Sequence, residues 1–218
     1  MHETYAIRVP TANQLVEATE AFDLDWGAVD DALYGICRQY PDHTNRRGLI
    51  AKLALINRAY SAGLERRVTP PKGQQAINVI ADFVHEHRVE VDTILDEMAG
   101  VRESLTADVM QHIVAQHGRF TDLLLRVTTD GKAPRSFASK YLHFHNSAVP
   151  IYDSYAALGL GKLVRRDARD VPFDCPSDGD AEYYGFCVRF WRLYEACRQH
   201  GLNVTVKTLD NYLWAVPA

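Results

Sequence analysis

The sequence predicts an all-α fold with roughly eight to ten helices. Apolar residues recur at intervals of three and four along most of the 218 residues, which is the spacing of one helix face. Threonines that suit helix N-caps, Thr11 and Thr106, precede two of these runs. Strand patterns are scarce, and only residues 202–209, LNVTVKTL, alternate briefly between apolar and polar. We therefore expect helices that pack on helices.

The first part of the chain contains four helical patterns. Residues 11–22 begin at the Thr11 cap, and residues 27–40 continue the same spacing until proline ends it. Residues 45–67 carry an apolar face broad enough for a central helix, which the sequence TPPKG then stops. Residues 74–98 form an amphipathic run with an acidic outer face.

The second part of the chain is predicted to hold helices on both sides of a conspicuous turn. Residues 105–128 supply one or two helices, and Asp130 with Gly131 is a turn signal. A helix should begin at Arg135 or Ser136, with Ser136 as its cap, and run to about residue 145. Pro150 then requires an extended approach to Asp153, which lies at the N-terminus of the next helix. Residues 165–180 are expected to be an extended break.

The composition predicts one folded unit, residues 1–218. Hydrophobic residues make up 47% of the chain and charged residues 24%, enough apolar side chain for a sizeable core. We expect either an undivided unit or two helical lobes, at about 45–130 and at 1–44 with 131–218, on either side of a groove.

The cysteines and the hydropathy predict the compartment. Cys37, Cys175, Cys187 and Cys197 show no CxxC spacing, which favours reduced thiols and indicates no structural metal. The N-terminal residues lack a basic region followed by an apolar run, and no apolar stretch approaches the ~20 residues of a membrane span. We therefore expect a cytoplasmic protein without metal or other cofactor, without a membrane partner and without an obligate protein partner.

The charge is unevenly distributed along the chain. The formal net charge is -4, which by itself argues against a nucleic-acid partner. Residues 46–72, however, carry seven Lys and Arg against one acidic residue, and residues 131–170 carry seven against three. These two basic islands interrupt an acidic body. They are either solvated helix faces or the two sides of one nucleic-acid groove.

The second island contains PRSFASKYLHFHNSAVPIYDSYA, residues 134–156. This segment and the turn before it resemble the core of the helix-hairpin-helix DNA glycosylase superfamily. The shared features are a turn that contains glycine, a helix of small residues and then Pro-Ile-Tyr-Asp at a helix start. The resemblance implies that Asp153 is the catalytic carboxylate. In this superfamily the lysine nucleophile, where present, lies about eighteen residues before that aspartate, whereas Lys140 lies thirteen before it. We therefore expect a monofunctional glycosylase, with Lys140 as the candidate nucleophile if this expectation is wrong.

The resemblance also implies a partner, double-stranded DNA with one base flipped out of the stack. Breaking an N-glycosidic bond develops positive charge on the sugar, which a carboxylate stabilises. The excised base should be damaged or modified, for example a modified base of phage DNA. Phosphate contacts are assigned to Gly131, Lys132, Arg135 and Ser136 in one island and to Asn57 and Arg58 in the other. The base pocket is assigned to Tyr60, His143, His145, Tyr152 and Tyr155.

Other interpretations stay open for these residues. Asp153 is also a good helix N-cap, a role worth about 1 kcal/mol. The protein may be a helical nucleic-acid or partner-binding protein without catalysis. It may also be an enzyme for a small substrate, built around His143, His145 and Tyr152. Salt-dependent DNA binding and the formation of abasic sites distinguish these possibilities.

Overall fold

The computed structural model describes residues 7–102, 104–164 and 173–216, and these ranges form an all-α structure without β-strands. Within them, nine α-helices follow one another in the order α1 (Ala12–Gln39), α2 (Arg46–Ala54), α3 (Ala76–Glu86), α4 (Arg88–Met98), α5 (Ala107–Leu125), α6 (Arg135–His145), α7 (Ser154–Leu163), α8 (Ala181–Gln199) and α9 (Val206–Ala215). A π-helical turn (Leu55–Ala59) and a 3₁₀ turn (Leu64–Arg67) follow α2. The predicted fold class is confirmed.

Side-chain caps begin three helices where the sequence predicts them. Thr11 forms a capping box with Gln14 at the start of α1, and the Thr106 hydroxyl accepts from the backbone N–H of Val109 at the start of α5. The Asp153 carboxylate accepts from the N–H of Ala156 at the start of α7. Each oxygen satisfies a backbone donor that the first helical turn leaves without a partner.

One sequence pattern is misleading, and one local prediction is wrong. Residues 202–209 do not form a strand, because Thr205 and Thr208 make a capping box that starts α9. Their β-branched side chains imitate a strand pattern although their hydroxyls cap a helix. Ser136 does not cap α6, since that helix begins one residue earlier, directly after Pro134, and no side chain caps it.

The predicted central helix at 45–67 is interrupted. It leaves α-geometry through the π-helical turn, and Ser61 and Gly63 have left-handed φ angles of 51° and 77°. Asn57 stabilises this break, because its amide donates to the carbonyl of Leu53 at 3.0 Å and accepts from the N–H of Glu65 at 3.1 Å. The chain therefore turns away after Tyr60 instead of continuing as a helix.

One hydrophobic core connects the two predicted lobes. Leu53 and Ile80 of residues 45–130 belong to the same buried cluster as Leu15 and Leu160. Helix α6 contributes fully buried apolar side chains to this cluster. We expect the two lobes to unfold together because they share this core.

Helices α7 and α9 approach closely because Gly159 lies between them. A Cβ atom at Gly159 would lie 2.5 Å from the carbonyl oxygen of Leu213, so a larger residue would push the helices apart. This contact sets the N-terminus of α7 against one face of α9. No helix in the described part of the chain is both long and apolar enough to span a bilayer. Residues 165–172 of the predicted extended break lie outside the described residues.

Candidate active site

A buried ion pair lies at the N-terminus of α7. Lys140 Nζ of α6 is 3.1 Å from Asp153 Oδ2, and the two side chains are 5% and 9% exposed. Asp153 also accepts from the Ala156 N–H at 2.9 Å and from the Trp214 indole N–H at 3.3 Å. Three donors therefore hold this carboxylate in one orientation, which is more than a helix cap requires.

Local structure places the two charged groups against each other. The backbone N–H of Tyr152 donates to the hydroxyl of Ser139 at 2.9 Å, which ties the approach to Asp153 onto α6. Lys140 follows Ser139 and donates to the carbonyl of Tyr60 at 3.1 Å. The break after the π-helical turn leaves that carbonyl available. The ion pair thus depends on three segments that are distant in sequence.

The ion pair faces a cavity of about 560 Å³. This volume lies within the range of about 300 to 1,000 Å³ that small-molecule and cofactor sites occupy. Six aromatic side chains contribute to its lining, namely Phe22, Trp26, Tyr60, Tyr152, Tyr155 and Trp214. Such walls stack against flat rings, so the cavity is suited to a planar ligand.

Charged side chains also line the cavity. These are Arg66, Arg67, Lys140, Asp153, Lys207 and Asp210. Lys207 pairs with Asp30 at 2.5 Å and lies 4.1 Å from the centre of the Phe22 ring. Arg66 is exposed and forms no ion pair with a carboxylate of the described residues. The cavity therefore offers four cationic groups and two carboxyl groups, which favours a ligand that carries negative charge.

Three tyrosines assigned to the base pocket line this cavity. The Tyr60 hydroxyl donates to Asp30, and burial together with Asp30 raises the pKa of Tyr60 above its usual range. The Tyr152 hydroxyl donates to Glu182, and burial raises the pKa of Tyr152 to about 12. Tyr155 is exposed and packs on Trp214 with 5.0 Å between ring centroids. Tyr60 and Tyr152 therefore remain neutral at physiological pH.

The two histidines assigned to the pocket do not line the cavity. His143 binds the carbonyl of Val149 through Nδ1 at 2.7 Å and the hydroxyl of Tyr34 through Nε2 at 2.7 Å. His145 contacts Lys52 at 3.3 Å and stacks on Tyr141. Burial lowers the pKa of His143 to about 3 and also lowers the pKa of His145. Residues two apart on a helix point in different directions, and here neither side chain reaches the cavity.

The residues assigned to phosphate contacts have several different surroundings. Ser136 lines the cavity, and Gly131 has a left-handed φ of 64° in the exposed turn. The N–H of Lys132 is occupied by Asp130 Oδ1 at 3.1 Å. Arg135 pairs with Asp180 at 2.6 Å and with Glu182 at 2.9 Å, so it fastens the start of α8.

The first basic island is also partly committed to internal contacts. Asn57 is buried at the break described above, and Arg58 is exposed but pairs with Glu65 at 3.1 Å. Arg67 donates to the carbonyls of Lys132 and Ala133, each at 3.0 Å. Arg67 thus joins the two basic islands, while Arg66 remains available to a ligand.

The sequence interpretation missed several residues of the cavity. Phe22 and Trp26 of α1 and Lys207 and Trp214 of α9 line it without having been assigned to the site from the sequence, and Asp210 lines it beside them. The spacing of the three α9 residues, i, i+3 and i+7, places them on one helix face and was the available signal. This spacing was hidden because Lys207 falls in the stretch that alternates briefly between apolar and polar residues.

No group of His, Cys, Asp and Glu side chains among the described residues is arranged to hold a metal ion. Comparison of the chain with protein-family models, with curated proteins and with solved structures finds no match. The functional interpretation therefore depends on the residues of the cavity.

Proposed function

We propose that this protein is a monofunctional DNA glycosylase that hydrolyses the N-glycosidic bond of a damaged or modified base and leaves an abasic site. The observation that carries the proposal is Asp153, a buried carboxylate oriented by Lys140 and Trp214 at an aromatic cavity. The resemblance of residues 134–156 to the helix-hairpin-helix glycosylases supports the same assignment.

The chemistry requires one oriented carboxylate beside the sugar. As the bond between C1′ and the base nitrogen breaks, its electron pair leaves with the base and positive charge develops on the sugar. The Asp153 carboxylate stabilises this charge and positions the water molecule that adds to C1′. Fixed orientation matters, because a preorganised charge needs no rearrangement in the transition state.

The walls and the rim of the cavity are suited to a flipped nucleotide. A base that leaves the stack loses a few kcal/mol of stacking and pairing energy, which aromatic walls such as Trp26 and Trp214 offset. Arg66 at the cavity is available for a phosphate contact, and Arg67 lies beside it. An enzyme built around His143 and His145 is not favoured, since neither side chain reaches the cavity.

The test is base release from a panel of genomic DNAs, both ordinary and heavily modified, with abasic sites as the readout. Wild-type protein should form abasic sites in at least one DNA. The Asp153→Asn variant should lose a factor on the order of 10² to 10⁴ in rate per folded molecule, because an amide lacks the negative charge.

Asp180→Asn is the matched control. Asp180 also caps a helix and pairs with a cation, Arg135, but it does not line the cavity. Both variants keep a capping oxygen and weaken one ion pair, so they are matched in these structural effects. Only Asp153→Asn removes a charge from the cavity, and therefore only this variant should lose the reaction. Wild-type protein that binds DNA but never forms abasic sites would instead indicate the non-catalytic binding protein. Equal rates for both variants and the parent would disprove the assignment of Asp153.

A further inference from the structure

Helix α9 forms a wall of the cavity that has its own ionisable groups. Lys207, Asp210 and Trp214 share one face of this helix and line the cavity. Trp214 donates to Asp153 from this face. Asp210 therefore lies one helical turn from a residue that touches the candidate catalytic carboxylate.

Asp210 differs from Asp153 in its hydrogen bonds. It is 3% exposed, and its Oδ1 atom has no hydrogen-bond partner among the described residues. An unsatisfied buried polar atom costs about 1–3 kcal/mol, so native proteins rarely contain one without a reason. Because Asp210 lies in the wall of the cavity, a ligand that enters the cavity could supply the missing partner.

The surroundings of Asp210 favour its neutral form. Burial raises the pKa of Asp210 to about 7, with the charge of Asp153 adding to this effect and that of Lys207 opposing it. Lys207 is itself engaged by Asp30. The titratable groups that face Asp210 come from five segments of the chain, and they are Asp30, Tyr60, Lys140, Asp153 and Lys207.

We propose that Asp210 is a second functional carboxyl group of the cavity, which donates a proton to the departing base. This inference rests on the proposed glycosylase function. When the C1′–N bond breaks, its electron pair stays on the base, and the Asp210 proton neutralises the charge there. The water molecule adds its oxygen to C1′ and gives one proton to the Asp153 carboxylate, and proton exchange with solvent then restores the Asp153 carboxylate and the neutral Asp210 for the next turnover. Because their environments differ, Asp210 acts as the proton donor and Asp153 acts as the charged carboxylate.

The same group implies a class of base. A neutral carboxyl group donates through its hydroxyl and accepts through its carbonyl oxygen. It therefore pairs with a base edge that presents a ring-nitrogen acceptor beside an amino group, as cytosine and adenine derivatives do. Guanine and thymine edges present a ring N–H instead and are disfavoured. We infer that the excised base derives from cytosine or adenine.

The experiment is single-turnover base release, measured from pH 5 to pH 9 on the DNA that wild-type protein cleaves. The wild-type rate should fall as the pH rises above about 7, when Asp210 loses its proton. Asp210→Asn should be slower by about 10²-fold at pH 6 and should lack this decline. Asn211→Leu is the control, because Asn211 is also buried with an unpartnered oxygen but does not line the cavity.

Thermal unfolding provides a readout that does not require activity. The Asp210 carboxyl group binds its proton more tightly in the folded protein than in the unfolded chain. The free energy of unfolding that this difference contributes is therefore present in full below about pH 4 and is lost as the pH rises through about 7. Asp210→Asn should therefore gain in Tm relative to wild type between pH 5 and pH 8. Asn211→Leu should keep a constant difference from wild type.

The outcomes separate the two proposals. An active Asp210→Asn variant with the wild-type pH profile disproves the proton donor and leaves the glycosylase function intact. Release of a guanine or thymine derivative alone disproves the predicted base class. Wild-type protein that releases no base from any DNA overturns both proposals. An Asp210→Asn variant that fails to fold at pH 8 also contradicts the inference, because the substitution should stabilise the protein there.

Discussion

Helix α6 contributes to two clusters of polar side chains, and only one of them lines the cavity described above. The open cluster consists of Lys140, Asp153, Asp210 and Trp214, all of which line the cavity. The sealed cluster consists of His43, Lys52, Asp92, Tyr141 and His145, none of which does. Lys140 and Tyr141 are neighbours in sequence, yet one belongs to each cluster.

The sealed cluster contains groups that would suit catalysis if a ligand reached them. His43 bridges Asp92 and Tyr141 with distances of 2.5 Å on both sides. Burial lowers the pKa of His43 to about 4 and that of Lys52 to about 8. Lys52 forms no ion pair with a carboxylate of the described residues and instead contacts His145 at 3.3 Å. Shifted pKa values alone therefore do not identify a functional site, since structural networks produce them as well.

The two buried lysines should respond in opposite ways to the same substitution. Lys140→Met leaves the Asp153 carboxylate buried without its cation, which should lower the free energy of unfolding by about 3–5 kcal/mol. Lys52→Met removes a buried charge that no carboxylate pairs with, and it should raise the free energy of unfolding at pH 7. Urea unfolding measures both values. A similar loss in both variants would mean that the clusters do not differ in this way.

The pH dependence of stability should distinguish the lysines further. Unfolded Lys52 binds its proton up to about pH 10.5, but folded Lys52 releases it near pH 8. The unfolded state thus holds more protons than the folded state in this window, and the free energy of unfolding of the wild type should rise relative to that of Lys52→Met by about 2 kcal/mol between pH 7.5 and pH 10. Urea unfolding at pH 7.5 and pH 10 measures the change. A difference that is constant with pH would contradict the assigned environment of Lys52.

Access to DNA should depend on the cations beside the open cluster. Arg66→Ala removes a guanidinium group at the cavity, so the slope of log K against log salt should fall by about one. Arg58→Ala is the control, because Arg58 pairs with Glu65 and does not line the cavity. It should change the slope less. Fluorescence anisotropy with duplex DNA at several salt concentrations provides the comparison, and equal slopes for both variants would argue against a groove at this cavity.

The smallest expected effect concerns covalent trapping. Lys140 is engaged as an ammonium group by Asp153 and by the Tyr60 carbonyl, so it lacks the free electron pair that attacks a sugar carbon. Borohydride added during the reaction should therefore trap no protein–DNA adduct. An adduct that forms with wild-type protein and disappears in Lys140→Arg would make Lys140 a nucleophile and the enzyme bifunctional.

The sequence alone determined the fold class, the starts of α1, α5 and α6, and the position of Asp153 at the start of α7. These features depend on local physics, that is, on apolar spacing, proline and side chains that cap backbone N–H groups. Residues 134–156 show this well, because α6 begins at Arg135 and ends at His145 as predicted, and Asp153 caps α7. The Thr205 cap was also present in the sequence, but its β-branched neighbours concealed it.

Only the tertiary structure decided which side chains share the cavity. Phe22 and Asp210 lie 188 positions apart in the chain and line the same cavity because α1 packs on α9, whereas His143 and His145 are close to Asp153 in sequence and do not line it. Helical spacing shows which residues share a face, but it does not show what that face contacts. That choice depends on how the helices pack, which contacts across the whole chain determine. The identity of a residue thus sets the chemistry available to it, and the packing around it sets whether a ligand can reach that chemistry.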